Sequence, residues 1–424
     1  MILDQQQTTS LRRLAVASFA GTTIEFYDFF AYGIAAALVF GQVFFPALDP
    51  LSGTLASFST YAVAFASRPL GSVVFGHFGD RYGRKSTLVG ALLLMGAATF
   101  AIGLLPGYTS IGIAAPVILV VLRFLQGFGL GGEWGGAALL AAEHAPQAKR
   151  GLYAVFPQLG PTVGFIAANA VFLAVTLAVS PEAFLAWGWR IPFLLSATLV
   201  MAGLYVRLKV LETPVFAASA PVASPLRTVV RHQWRELLLG SGAMVVQYTF
   251  FYTATAYCLA YTTTVLGLDR SLVLVLAMAA IAAKGLATWW GAGFGQRYGR
   301  RRVLLLSYTG AFCWAFVLFP LLDTADPWLV LLALAGTLGV AGFGYGVMGA
   351  VLPELFTTAC RYTGAGLAYN LGGVVGGALP PIVATRLQTT HGSSSVALYL
   401  AAMAVLSLLC VLKLPETRDR NLAD

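Results

Sequence analysis

Charge is scarce in this chain. Only 10% of its 424 residues are Asp, Glu, Lys or Arg, against the roughly 25% usual in soluble domains. Histidine is scarcer, with four residues, His77, His144, His232 and His391, all outside or at the ends of apolar runs. There is no HExxH helix and no GxSxG elbow, so the parts of a metalloprotease or serine hydrolase are missing and no catalytic residue is expected. A GxxxxGK[ST] phosphate loop is missing too, which excludes an ATP-driven pump; "GDRYGRKS" has the wrong spacing. Cys258, Cys313, Cys360 and Cys410 all fall in the second half without CxxC or metal-ligand spacing, and read as small packing residues. Neither metal nor cofactor is expected.

What the chain has is apolar length. It is 58% hydrophobic, with a mean hydropathy of +0.80. Runs of about 20 residues or more recur throughout, enough to cross a ~30 Å hydrocarbon core as helices; a barrel would show ~10-residue alternating segments instead. Breaks in hydrophobicity predict an all-α membrane protein with twelve spans: 14–45, 54–78, 86–105, 112–142, 151–179, 187–206, 237–265, 272–295, 303–322, 328–352, 362–385 and 395–414. The polar start, Met1 to Arg13, leads into a stretch too long for the core of a signal peptide, so it is expected to stay as the first span. The longest polar interruption, 207–236, carries Arg207, Lys209, Arg227, Arg231 and Arg235. It is expected to link two sets of six helices, 1–206 and 237–424.

Orientation follows from the basic residues. With a cytoplasmic N-terminus, the cytoplasmic ends and loops collect 20 of the 26 lysines and arginines. The opposite side holds Arg190, Arg270 and Arg386, and the spans hold Arg68, Arg123 and Lys284. The asymmetry predicts both termini inside. The net charge of +9 is thus a topology signal and leaves a nucleic-acid partner nothing to explain.

The two halves repeat each other. "GDRYGRK" (79–85) returns as "GQRYGRR" (295–301), "EHAPQAKR" (143–150) and "ELFTTACR" (354–361) share Glu-x6-Arg, and "LET" (211–213) echoes "PET" (415–417). Such a parallel duplication predicts two pseudo-symmetric six-helix bundles around a central cavity, the arrangement for alternating access.

These motifs resemble the major facilitator superfamily, whose signature between its second and third helices is similar to "GHFGDRYGRK" (76–85). "GTTIEFYDFFAYGIAAALVF" (21–40), "SRPLGSVVFGHFGDRYGRK" (67–85), "RFLQGFGLGGEWGGAALL" (123–140) and "WGWRIPFLLS" (187–196) resemble its metabolite:proton symporter branch. That branch carries shikimate, 2-oxoglutarate, citrate and related acids, plus proline and betaine; the shikimate-type carriers look nearest. The resemblance implies transport without ATP, a proton gradient as energy source, the bacterial inner membrane and a monomer. The osmoprotectant carriers of the branch have a long coiled-coil extension, whereas this chain stops seven residues after Thr417, which counts against osmosensing. "GPTVG" (160–164) matches part of an antiporter signature, or is a helix-packing and kink motif.

Glu25 and Asp28 lie three residues apart on one helix face, with Glu25 roughly 16 Å along the first span. A charge at a helix centre costs about 2.5–3.5 kcal/mol even on the translocon scale. Retaining Glu25, Asp28, Glu133, Arg68, Arg123 and Lys284 therefore implies pairing, a watery cavity, or both. A carboxylate facing a partly desolvated cavity holds its proton more tightly, and a neighbouring guanidinium loosens that hold. Asp28, Glu25 or Glu133 is the candidate proton carrier, with Arg68 and Arg123 as its partners or as substrate anchors. The alternative is a fixed salt-bridge network orienting helices one, two and four. Lys284, about a dozen residues from either end of span eight, suits a carboxylate substrate better than snorkelling. Tyr32, Gln126, Trp134, Gln158, Gln247, Tyr248, Tyr252 and Asn370 are further candidates for substrate contact. Trp289 and Trp290, with the tyrosines, could instead embrace a quaternary ammonium.

The loop 79–85 reads as a gate. Gly79 and Gly83 permit a tight turn, Asp80 can hold a helix N-terminus, and Arg81, Arg84 and Lys85 can reach helix C-termini or acids of the other bundle. The resemblance implies that this network, with Glu143 and Arg150, secures an outward-facing state. Since Gln296 replaces the Asp in the second copy, Glu354, Arg297 and Arg361 are expected to form a weaker latch. Symport of a small organic acid leads; export by antiport and symport of a zwitterion are the alternatives.

Overall fold

The computed structural model describes residues 2–146, 149–208 and 224–420. These form twelve long helical segments: α1 (Ile2–Ala35), α2 (Pro50–Tyr82), α3 (Arg84–Leu104), α4 (Ala114–His144), α5 (Phe156–Ala178), α6 (Ile191–Leu208), α7 (Trp234–Tyr252), α8 (Arg270–Tyr298), α9 (Arg300–Leu322), α10 (Pro327–Leu355), α11 (Arg361–Gly373) and α12 (Ser393–Lys413). Ten helical segments are long and apolar enough to cross a membrane, and the bent pair Ala15–Ala35 and Leu38–Phe44 makes an eleventh. The remaining helix, α2, has 33 residues but is diluted by Ser57, Ser59, Thr60, Ser67 and Arg68. Helices satisfy their own backbone bonds, which lipid cannot do. Single π turns continue α1 (Ala36–Phe40), α7 (Thr253–Tyr257) and α11 (Val374–Ala378).

Packing repeats between the halves. In the first, α1 packs on α5 and α6, and α4 on α2 and α3; in the second, α7 packs on α11 and α12, and α10 on α8 and α9. The two bundles meet through α2 against α11 and α5 against α8. Gly83 (φ 118°) and Gly299 (φ 102°) turn the chain between α2 and α3 and between α8 and α9, a backbone region that side chains with a Cβ rarely enter. Of the interruption 207–236, Arg207 and Leu208 end α6 and Pro225–His232 is a short helix; residues 209–223, with Lys209 and the "LET" motif, lie outside the described residues.

Small residues set the helix spacing, as expected where lipid gives no hydrophobic drive between helices. A Cβ on Gly71 would overlap the Phe128 carbonyl, and one on Gly131 the Arg68 carbonyl. The second bundle repeats both contacts, Gly291 on Phe343 and Gly346 on Thr288. Gly160 and Gly164 of "GPTVG" likewise admit α1, a Cβ on Gly164 coming 2.7 Å from the Thr23 carbonyl. We expect Gly71→Leu and Gly291→Leu each to lower the stability of the detergent-solubilised protein by about 1–3 kcal/mol for overpacking, read as a fall in its apparent unfolding midpoint. Gly293→Leu is the control, since a Cβ there meets nothing within 4 Å.

Candidate functional site

The helix ends bearing Arg81, Arg84, Arg150, Arg300 and Arg361 define a basic end of the molecule. Towards the opposite end, a cavity of about 400 Å³ separates the bundles. Phe30, Tyr61, Phe165, Asn169, Tyr252 and Thr255 are among its walls, and residues of all three π turns reach it. No charged side chain is among its described lining residues.

Arg68 and Arg123 sit in an aromatic cluster beside it, both buried. The Arg68 guanidinium lies 4.2 Å from the Phe65 ring centre and 4.3 Å from that of Phe29. Arg123 lies 3.9 Å from Tyr32, 4.6 Å from Tyr61 and 4.7 Å from the same Phe29. Aromatic faces thus stand where counter-ions were expected. Arg123 also donates to Gln126, whose Nε2 donates to Thr99 Oγ1 at 2.8 Å and to the Asp28 carbonyl at 3.3 Å. Nε and Nη2 of both arginines have no hydrogen-bond partner among the described residues; together they form the side edge that a carboxylate engages in a bidentate pair. The Tyr32 hydroxyl is taken by Thr60 Oγ1 at 2.5 Å.

The carboxylates are paired differently from the expectation. Arg207, assigned by the sequence to the linker, reaches into the first bundle, pairing with Glu25 at 2.5 Å and with Glu133, and donating to the Leu88 carbonyl at 2.9 Å. Helical side chains lean towards the N-terminus of their helix, so an arginine in the last turn of α6 points back into the membrane. A Cβ on Gly21 would meet Arg207 Nη2 at 2.5 Å; the missing side chain makes its room. Neither Arg68 nor Arg123 is ion-paired with Glu25, Asp28 or Glu133. Asp28 is fully buried, and neither carboxylate oxygen has a hydrogen-bond partner among the described residues. With Arg207 added, four bases face three acids in the membrane interior, not three against three.

In the second bundle Lys284 is 4% exposed, its ammonium 4.4 Å from the Tyr345 ring centre and 5.4 Å from that of Phe251. It shares a small void with Gln247, Tyr248 and Tyr252; Tyr248 stacks on Tyr252, and its hydroxyl has no hydrogen-bond partner among the described residues. Trp289 and Trp290 point outward, 44% and 64% exposed, and do not embrace a cavity ligand. Trp134, Gln158 and Asn370 belong to contacts between the bundles. Trp134 stacks on Tyr369 at 3.8 Å and donates to Gln158, which donates to the Tyr345 carbonyl. Asn370 donates to Ser72 Oγ at 2.6 Å and to the Gly131 carbonyl at 3.1 Å.

At the basic end, the repeated motifs cross over. Glu143 accepts from Arg361 at 3.4 Å, and Arg150 pairs with Glu354 at 3.1 Å: each acid takes the arginine of the other copy. Asp80 accepts from Tyr362 N, Thr363 N and Thr363 Oγ1 at 2.8–3.2 Å, holding the start of α11. Gln296 makes the corresponding single bond to Gly151 N at 3.1 Å. Gly79 lets the Tyr362 ring approach, a Cβ meeting it at 2.6 Å. Arg300, not Arg297, completes the latch on Glu354; Arg297 lies over Tyr298. Arg81 lies over the Tyr82 ring, and Lys85 donates to the Leu208 carbonyl at 2.7 Å. The Arg84 side chain is outside the described residues.

Two repeated helical bundles, joined at one end and parted by a cavity towards the other, define a membrane transporter rather than an enzyme. The sugar (and other) transporter family model matches residues 14–224 and again 223–424. The inner membrane metabolite transport protein YhjE of Escherichia coli (strain K12) is 47% identical over 99% of this chain and 98% of its own length. The shikimate transporter of the same organism is 37% identical over 96% and 95%. Among solved structures, the proton:xylose symporter XylE bound to 6-bromo-6-deoxy-D-glucose superposes with a TM-score of 0.81 at 17% identity, over 98% of each chain, a likeness of fold. The chain belongs to the sugar (and other) transporter family of the major facilitator superfamily. It is a membrane transporter, and its curated relatives are metabolite transport proteins.

Arg207→Met leaves Glu25 and Glu133 buried without a cation. We expect it to lower stability by about 3–5 kcal/mol, the usual cost of breaking a buried pair from one side, with much of the loss regained on adding Glu25→Gln and Glu133→Gln. Thermal unfolding of the purified variants measures both.

Proposed function

We propose that the protein takes up a small organic acid, such as shikimate or a related carboxylate, together with protons across the bacterial inner membrane by alternating access. Both termini are cytoplasmic in this reading, the protein acts as a monomer, and the basic end is the cytoplasmic gate. The bundles joined there and parted towards the far side correspond to an outward-facing state. The observation that carries the reading is the difference among the buried charges. Glu25 and Glu133 share Arg207, whereas Asp28 has no ionic partner among the described residues and can have its charge cancelled by a proton. Arg68 and Arg123 have no acid among the described residues, and their free edges beside the cavity suit a carboxylate. Asp28 is therefore the proton carrier, Arg68 and Arg123 anchor the substrate, and Lys284 supplies a further cation across the bundle interface. The shikimate transporter among the relatives supports an acid, and the close approach of Gly160 and Gly164 to α1 supports the packing reading of that motif.

Proteoliposomes carrying a pH-sensitive dye test the coupling. Shikimate, 2-oxoglutarate, citrate, protocatechuate and betaine are added separately to wild type and Asp28→Asn. Proton entry with one acid, abolished in Asp28→Asn while counterflow of that acid persists, is the expected result. Proton entry undiminished in the variant would remove Asp28 from the mechanism, and coupling to betaine alone would remove the acid.

The gate is tested by Glu354→Gln, which deprives Arg150 and Arg300 of their shared acid. In a background without native cysteines, Ser72→Cys, buried between the bundles, is expected to react with a permeant maleimide several-fold faster when Glu354→Gln is present. An unchanged rate would show that this pair does not hold the basic end shut.

A further inference from the structure

We propose that Asn169 reads a hydroxyl group on the transported molecule, so that the cavity selects hydroxylated carboxylates over their deoxy counterparts. Asn169 lies on α5 in the cavity wall and is 2% exposed. Its Nδ2 donates to the Phe165 carbonyl at 2.8 Å, one turn back on its own helix, which fixes the amide. Its Oδ1 has no hydrogen-bond partner among the described residues. A buried acceptor without a donor is unfavourable until something supplies one. The wall's tyrosines, Tyr61 and Tyr252, belong to the aromatic cluster around Phe29 and Phe65, and its threonines are bonded within their own helices. Thr255, Thr263 and Thr264 each donate to the carbonyl four residues back, at 2.7, 2.9 and 2.6 Å. The remaining wall near Asn169 is apolar: Phe165 meets Phe30 edge-on at 5.1 Å. Asn169 Oδ1 is thus an orphaned acceptor on a residue of the cavity wall, a place for one O–H donor on the transported molecule. That the same molecule carries a carboxylate rests on the reading of Arg68 and Arg123 given above.

Binding to the purified full-length protein, measured by calorimetry, separates the two claims with three probes: para-hydroxycyclohexanecarboxylate, cyclohexanecarboxylate and cyclohexanediol. Wild type is expected to bind the hydroxy acid about three- to tenfold more tightly than the deoxy acid, the worth of one neutral hydrogen bond. Asn169→Leu is expected to bring that ratio to about one by weakening the hydroxy acid alone. Asn169→Ala, which removes the acceptor without adding bulk, must do the same if the leucine variant fails to fold. Equal binding of both acids by wild type, or a ratio preserved in a folded Asn169 variant, would overturn the proposal. Diol binding as tight as that of the hydroxy acid, and dependent on Asn169, would uphold the hydroxyl contact while sinking the carboxylate reading.

Discussion

A charge that leaves water for the interior of a bilayer needs a counter-charge, a π-face or a wet cavity, and the arrangement of the first bundle follows from how each is found one. Arg207 pairs with both Glu25 and Glu133, tying α1, α4 and α6 at one level. Arg68 and Arg123 are held against aromatic rings. Asp28 alone of the three acids is given no hydrogen bond or ion pair among the described residues. Three acids of similar intrinsic chemistry are thereby placed in unequal surroundings, two sharing one arginine and one set apart from it.

The duplication serves both rigidity and closure. Within each bundle the same glycine-to-carbonyl contacts recur, Gly71 with Gly291 and Gly131 with Gly346, so both bundles are built on one close-packed helix pair. Between the bundles, the Glu-x6-Arg repeat forms its pairs in trans, Glu143 with Arg361 and Glu354 with Arg150. Such reciprocal pairing is what a two-fold relation between two copies of one surface produces. It also separates the two tasks physically. Contacts of the first kind lie inside a bundle, and those of the second kind span the two bundles at the basic end.

The second copy has drifted in an instructive way. Asp80 makes three hydrogen bonds to the start of α11, and its counterpart Gln296 makes one to Gly151. On the Glu354 side, Arg300 joins Arg150. One substituted residue therefore does not determine the strength of a network; its neighbours in space do.

Hydropathy, basic-residue spacing and internal repetition determined the twelve helices, their two-fold organisation and the candidate charges, because lipid forces backbone groups to pair locally and leaves length and polarity as the readable variables. Gly79, Asp80, Glu143, Arg150, Glu354 and Arg361 could be found from repeated motifs, since repetition marks equivalent places without any knowledge of contacts. Pairing could not. Arg207 looked like linker because it ends a span, and only the backward lean of its side chain past Gly21 brings it to Glu25 and Glu133. Trp134, Gln158 and Asn370 read in the sequence as polar groups suited to a ligand, and the packing of α4 and α5 against α10 and α11 gives them contacts between the bundles that the sequence does not show. Asn169 carried no signal in a run of alanines; its orphaned oxygen exists only because Phe165 occupies its amide and the cavity lies in front of it. The sequence thus determined which groups enter the membrane, and the tertiary structure decided which of them meet, because contact between helices depends on side-chain direction and on the space that distant glycines leave.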